Sequence, residues 1–128
     1  MKHLNITERR NNLITILDLE GKIRLGEGSA KLHEALRSLV ERGKKNILLN
    51  LADVSHIDSS GLGELVAGYT TLRKAEGELK LVHLSDKVHQ LMTVTKLWTV
   101  FDIYDSESEA VQSFAGESAK SAEANSLM

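Results

Sequence analysis

Apolar positions along this chain change period several times, and each change marks an element. Leu4 and Ile6 alternate with polar neighbours, a short strand signature. Arg10-Asn11-Asn12 offers turn residues, and an apolar run from Leu13 to Leu19 follows. Together they predict an antiparallel hairpin. Gly21 breaks the run, Ile23-Arg24-Leu25 reads as a third short strand, and Gly26-Glu27-Gly28 reads as a loop. From Ser29 the spacing becomes helical, with Leu32, Leu36, Leu39 and Val40 on one face. Ser29 is the expected N-cap, and Gly43 the residue that closes the helix in a left-handed conformation.

Asn46 to Leu51 contains Ile47-Leu48-Leu49, apolar on both faces, which predicts a central strand covered on both sides. After a polar stretch, Leu62, Leu65, Val66, Tyr69 and Leu72 give a helical face that ends near Lys74 and Gly77. Leu79 to Leu84 reads as the next strand. Ser85 then caps a helix facing inward through Val88, Leu91, Met92 and Thr95. Val100 to Tyr104 reads as the last strand, and Ser106-Glu107-Ser108-Glu109 matches a capping box before Ala110, Val111 and Phe114. Residues 116–128 carry no usable period and read as a flexible tail behind a domain of residues 1–115. Short strand–helix links from residue 46 onward require right-handed crossovers and parallel strands. The expected fold is an α/β domain: a mixed, mostly parallel sheet with an N-terminal antiparallel hairpin, packed with about four α-helices.

Composition narrows the function classes. The 128 residues suit one domain, with 41% hydrophobic and 27% charged residues. Cysteine is absent, which removes disulfides, thiolate metal sites and cysteine nucleophiles. The stretch MKHLNITERRNN has no apolar segment of a signal peptide, and no run reaches the ~18 residues of a membrane span. Net charge is −2, and the small basic spots Arg9-Arg10 and Lys44-Lys45 are no nucleic-acid footprint. The five histidines show no metal spacing, and Gly26-Glu27-Gly28 lacks the third glycine of a dinucleotide fingerprint. No metal and no other cofactor is expected.

The chemistry concentrates in Asp58-Ser59-Ser60-Gly61, where the polar stretch gives way to a helix. Helix capping alone explains Asp and Ser at such a start. Three features point further. There are more capping groups than one N-terminus needs. The turn follows the C-terminal end of a central strand, where open α/β sheets place their sites. Gly61 and Gly63 leave the surface around the serines low and open, despite their cost in helix propensity. A nucleophilic serine is disfavoured, because Ile57 stands where the hydrolase elbow needs glycine. An anion ligand fits the helix dipole, although no P-loop pattern is present. A phosphorylation site uses the same physics: a phosphate on Ser59 would bring about −1.5 to −2 charges to a helix N-terminus. The dipole would favour it and Asp58 would repel it, so the surface would change sign while the fold persists.

The stretch Asn50 to Gly63, NLADVSHIDSSGLG, resembles the signature of STAS domains, specifically of the bacterial anti-sigma factor antagonists. Gly77 to Val82 is similar to the family's next strand, and Val88 to Phe101 to its next helix and last strand. The likeness spans roughly residues 3 to 114. The resemblance implies a cytoplasmic partner switch that is not an enzyme. Unphosphorylated, such a domain binds an anti-sigma factor that is also a Ser/Thr kinase, which frees the sigma factor for transcription. The kinase then phosphorylates the serine after the aspartate, here Ser59, and binding is lost until a Ser/Thr phosphatase resets the cycle. By the same resemblance, Asp58, Ser59, Ser60, Gly61, Leu62 and Gly63 contact the partner. The family often carries Gly-x-Leu/Ile-Asp after its second strand, whereas this chain has Gly21-Lys22-Ile23-Arg24. Arg24 therefore reverses the charge at a further partner contact. Two other readings are a STAS scaffold or accessory domain in another signalling or transport assembly, and a nucleotide-binding module built on Ser59 to Gly63.

Overall fold

A computed structural model of the chain describes residues 3–114. The expected tail, residues 116–128, lies outside the described residues. Five strands form one sheet in the order β1-β2-β3-β4-β5. They are β1 (Asn5–Asn11), β2 (Ile14–Ile23), β3 (Asn46–Ile57), β4 (Glu78–Val82) and β5 (Asp102–Tyr104). β1 and β2 pair antiparallel, and every later neighbour pairs parallel. Helix α1 (Glu27–Glu41) links β2 to β3, α2 (Ser59–Lys74) links β3 to β4, and α3 (Asp86–Thr95) with a short 3-10 turn at Leu97–Thr99 links β4 to β5. The described part of α4 covers residues 107–114. This is the expected mixed α/β architecture.

Because successive strands are neighbours and the crossovers share one hand, α1, α2 and α3 lie on one face of the sheet. Leu17 and Leu19 of β2, Ile47, Leu49 and Leu51 of β3 and Leu79 and Leu81 of β4 turn to that face. They meet Leu32, Leu36 and Leu39 of α1, Leu62, Leu65 and Leu72 of α2, and Val88 and Met92 of α3. The alternate residues Ile14, Ile16, Leu48 and Val82 turn the other way and meet Ala110 and Phe114 of α4. That two-sided burial is why β3 begins as an unbroken apolar run. Lys80 of β4 also lies on the α4 face. It is wholly buried, with Nζ donating to Ser113 Oγ at 2.9 Å and lying 4.8 Å from the centre of the Phe114 ring.

Several element boundaries differ from the sequence expectation. Gly21 does not end β2, and Ile23-Arg24-Leu25 is no separate strand. β2 runs through Gly21, at φ 122°, to Ile23. A Cβ at Gly21 would sit 2.1 Å from the His3 carbonyl oxygen, so the glycine serves close approach rather than chain breaking. Helix α1 starts before Ser29: Gly26 is its N-cap and makes no side-chain cap bond, while Ser29 is buried inside the first turn. Glu27 and Gly28 are thus helical rather than loop. At the other end, Gly43 takes φ 76°, and the N–H groups of Gly43 and Lys44 donate to Val40 and Leu39, the paired bonds of a Schellman close.

β4 stops at Val82 because His83 turns to φ 59°. β5 starts only at Asp102, since Val100 is the residue that closes the 3-10 turn. The hydroxyl half of the capping box is present, with Glu109 N–H donating to Ser106 Oγ at 3.3 Å.

Candidate functional site at the start of helix α2

The largest revision concerns β3, and it shapes the site. The polar stretch 52–57 is strand, so β3 runs on past the expected end at Leu51. Two register shifts against β2 fall between Asp18 and Glu20 and between Gly21 and Lys22, each adding one residue to β3. After the first shift the core residues are Leu51, Val54 and Ile57, spaced by three instead of two. Such bulges re-aim a strand, and here they carry β3 to the very start of α2.

Asp58 joins the two elements. Its N–H donates to the Ile23 carbonyl at 3.2 Å, so β2 and β3 stay together to their ends. Its Oδ1 accepts the Gly61 N–H at 3.0 Å, the N-cap bond of α2. Its Oδ2 accepts the Leu25 N–H at 2.9 Å. The backbone N–H donors of Leu25 and Gly61 hold the carboxyl below the ordinary aspartate range, helped by Ser60 N–H and the nearby His56. The acid is thereby committed as an ionised anchor between the β2–α1 loop and α2.

Ser59, the first residue of α2, is exposed, and Ser60 is half-buried. The structure thus separates two hydroxyls that are adjacent in sequence: Ser59 is the more accessible. The two glycines differ as well, contrary to the expectation that both keep the surface open. Gly61 is buried, and a Cβ there would lie 2.5 Å from the Ile23 carbonyl oxygen and 2.8 and 2.9 Å from the Cγ2 methyls of Ile23 and Ile57. It lets α2 sit directly on the end of β2. A Cβ at Gly63 would meet nothing within 4 Å, so only Gly63 leaves the surface open. Leu62 is 8% exposed and belongs to the core, so it supports the site from beneath.

Arg24 lies beside this group, with Ile23 and Leu25 on either side both bonded to Asp58. Leu25 is 81% exposed. As an exposed apolar side chain on the loop bonded to Asp58, it is a candidate contact that the strand pattern of Ile23-Arg24-Leu25 hides. Its place directly before Gly26 was the available signal. Among the described residues no group of three acidic, histidine or cysteine side chains could hold a metal ion. A groove of about 260 Å³ between α1 and α2 and another of about 560 Å³ beside β5 are not lined by Ser59.

Residues 5–110, which hold the strand that delivers Asp-Ser-Ser-Gly to the helix start, match the STAS domain family. The chain belongs to the STAS domain family. This STAS domain is 31% identical over 110 residues to an anti-sigma-B factor antagonist of Bacillus subtilis (strain 168), covering 86% of this chain and 99% of that one. In fold it is similar to an anti-sigma factor antagonist from Mycobacterium paratuberculosis, with TM-score 0.78 and 20% identity over 86% of this chain and 92% of the other. It is also similar to the phosphorylated form of the Bacillus cell fate determinant SpoIIAA, with TM-score 0.68 and 17% identity over 86% and 99%. No helix among the described residues of this STAS domain is long and apolar enough to cross a membrane.

Proposed function

We propose that this STAS domain is an anti-sigma factor antagonist working as a phosphorylation-controlled partner switch in the bacterial cytoplasm. The observation that carries the reading is the exposed Ser59 hydroxyl at the first position of α2, directly after a cap that is already ionised. The kinship with an anti-sigma-B factor antagonist supports it. Unphosphorylated, the domain meets an anti-sigma factor with Ser/Thr kinase activity through Asp58, Ser59, Ser60, Gly63, Arg24 and Leu25. Gly61 and Leu62 set the height of that surface from below. The domain is the substrate of the reaction and has no active site of its own. Ser59 Oγ attacks the γ-phosphorus of the kinase's ATP, the bond to ADP breaks, and the hydroxyl proton passes to a base of the kinase.

The product carries about −1.5 to −2 new charges next to Asp58. A helix N-terminus tolerates them, so α2 persists, while the partner meets a surface of changed sign. A Ser/Thr phosphatase removes the group and restores binding. The test is incubation of the purified domain with its cognate kinase and ATP, followed by intact-mass and peptide mapping. A gain of one phosphate on Ser59, absent in Ser59→Ala, is expected, with loss of the kinase complex. Modification confined to Ser60, or a complex that survives modification, overturns the reading.

A further inference from the structure

We propose that Arg24 is the in-chain receptor of a phosphate on Ser59, so that one side chain serves the partner surface before phosphorylation and is withdrawn from it afterwards. This rests on the reading of Ser59 as the phosphate acceptor.

The placement comes from backbone bonds. Ile23 accepts from Asp58 N–H at 3.2 Å, and Leu25 donates to Asp58 Oδ2 at 2.9 Å. Arg24 lies between those two residues, and Ser59 directly follows the residue they both hold. The Arg24 carbonyl also accepts the Ser29 N–H at 2.9 Å, so the loop is fastened to α1 as well. The loop is therefore fixed in the backbone at the side of Ser59.

The side chain is not so fixed. Arg24 is exposed and makes no side-chain hydrogen bond or ion pair among the described residues. Arg9, Arg37, Arg42 and Arg73 each hold a carboxylate. Asp58, to which both neighbours of Arg24 are bonded, has its two oxygens aimed at the N–H groups of Gly61 and Leu25. Glu27, three residues on, is taken by His3 at 2.6 Å. An exposed guanidinium on a loop anchored to the residue before Ser59 has no anion to hold until the phosphate arrives. Its planar fork then matches two phosphate oxygens at once. The cation also offsets the repulsion between the phosphate and Asp58, which keeps the cap of α2 in place. In the unphosphorylated domain the same cation stands free next to Leu25, ready for a carboxylate of the partner.

The experiment installs phosphoserine at position 59 during synthesis and follows its second ionisation by 31P NMR, in the otherwise unchanged domain and in Arg24→Gln. Asp58 and His56 on the β3–α2 side, Lys22 on β2, Glu27 at the start of α1 and its partner His3 are other charged or titratable groups around the site, and they are the same in both proteins. The expected result is a midpoint about half a pH unit lower with Arg24 than with Gln, a gap that narrows in molar salt. Arg24→Lys should recover only part of the shift, having charge without the fork. Equal midpoints, or a lower midpoint for Arg24→Gln, overturn the proposal. Because the phosphate is built in, the outcome does not depend on any kinase. Failure of a kinase to modify Ser59 would instead count against the partner-switch reading.

Discussion

Leu25 donates its backbone N–H to Oδ2 of Asp58 at 2.9 Å, so the residue that caps α2 also suspends the loop leaving β2. One carboxylate thus sets the relative position of the exposed Leu25 and the exposed Ser59.

Asp58→Ala should release both. The melting temperature should fall by a few degrees, because an N-cap is lost together with the tie to the loop. Asp58→Asn, which keeps an acceptor oxygen, should fall less. Since folding lowers the Asp58 pKa, the cap's contribution is present above the ordinary aspartate range and is lost as pH falls through the lowered value. Amide exchange at Gly61 and Leu25, followed by NMR down the acid range, reads this directly.

Gly61 and Gly63 should respond to alanine in opposite directions. At Gly61 the added methyl meets the Ile23 carbonyl and two methyl groups, an overpacking that costs about 1–3 kcal/mol. At Gly63 it meets open space on a helix, and the gain in helix propensity is about 1 kcal/mol. Urea unfolding of the two variants checks the sign at each position.

Ser59→Asp adds charge at the first position of α2 without removing a core contact. Its unfolding free energy should stay within about 1 kcal/mol of the parent, while affinity for the anti-sigma partner falls. Ser59→Ala should keep that affinity. Equal affinity for the Asp and Ala variants, measured by calorimetry, would sink the switch.

Arg9 should govern acid sensitivity on the opposite face of the sheet. It donates to both oxygens of Asp18, at 2.6 and 3.0 Å, and to Glu107 on α4, while Asn50 donates to Asp18 at 2.8 Å. The bonds to Arg9 hold the carboxyls of Asp18 and Glu107 below their ordinary range. For groups lowered on folding, the unfolded chain takes up protons first, so stability declines as pH drops from about 4 through the folded values. Arg9→Gln should therefore lower stability at neutral pH and flatten that decline. The groups are partly solvated, which limits the neutral-pH loss to about 1 kcal/mol. Denaturation midpoints at pH 7 and pH 3 decide it.

Much of the molecule was legible in the chain because its elements obey simple periods. The face of α1 through Leu32, Leu36 and Leu39, the run Ile47-Leu48-Leu49 and the caps at Asp58 and Ser85 all follow local rules. Local rules failed where another element supplied the reason. Residues 52–57 carry no strand period because two bulges stretch the core spacing of β3 to three, which only pairing with β2 reveals. Ser29 has the residue type of a cap, but its own N–H donates to the Arg24 carbonyl and α1 begins earlier, at Glu27. At the site itself, Asp58 and Ser59 were readable from residue type and order. The bond from Asp58 to Leu25 spans 33 positions and leaves no trace in either local pattern.

The reach of β3 has a dynamic consequence. It pairs with β4 only from Asn46 to Asn50, and from there to Ile57 its strand partner among the described residues is β2 alone. Ser59 therefore follows a two-stranded extension of the five-stranded sheet, one whose inward residues Val54 and Ile57 still pack in the core. Opening there breaks fewer strand–strand bonds than opening at the centre of the sheet, although it also loosens Val54 and Ile57 from the core and the Ser85 hydroxyl from the Val54 carbonyl. Amides of Val54 to Ile57 should exchange with solvent well before those of Ile47 to Leu49. An enzyme that must draw the serine into its own cleft has fewer strand bonds to loosen here than anywhere nearer the centre of the sheet.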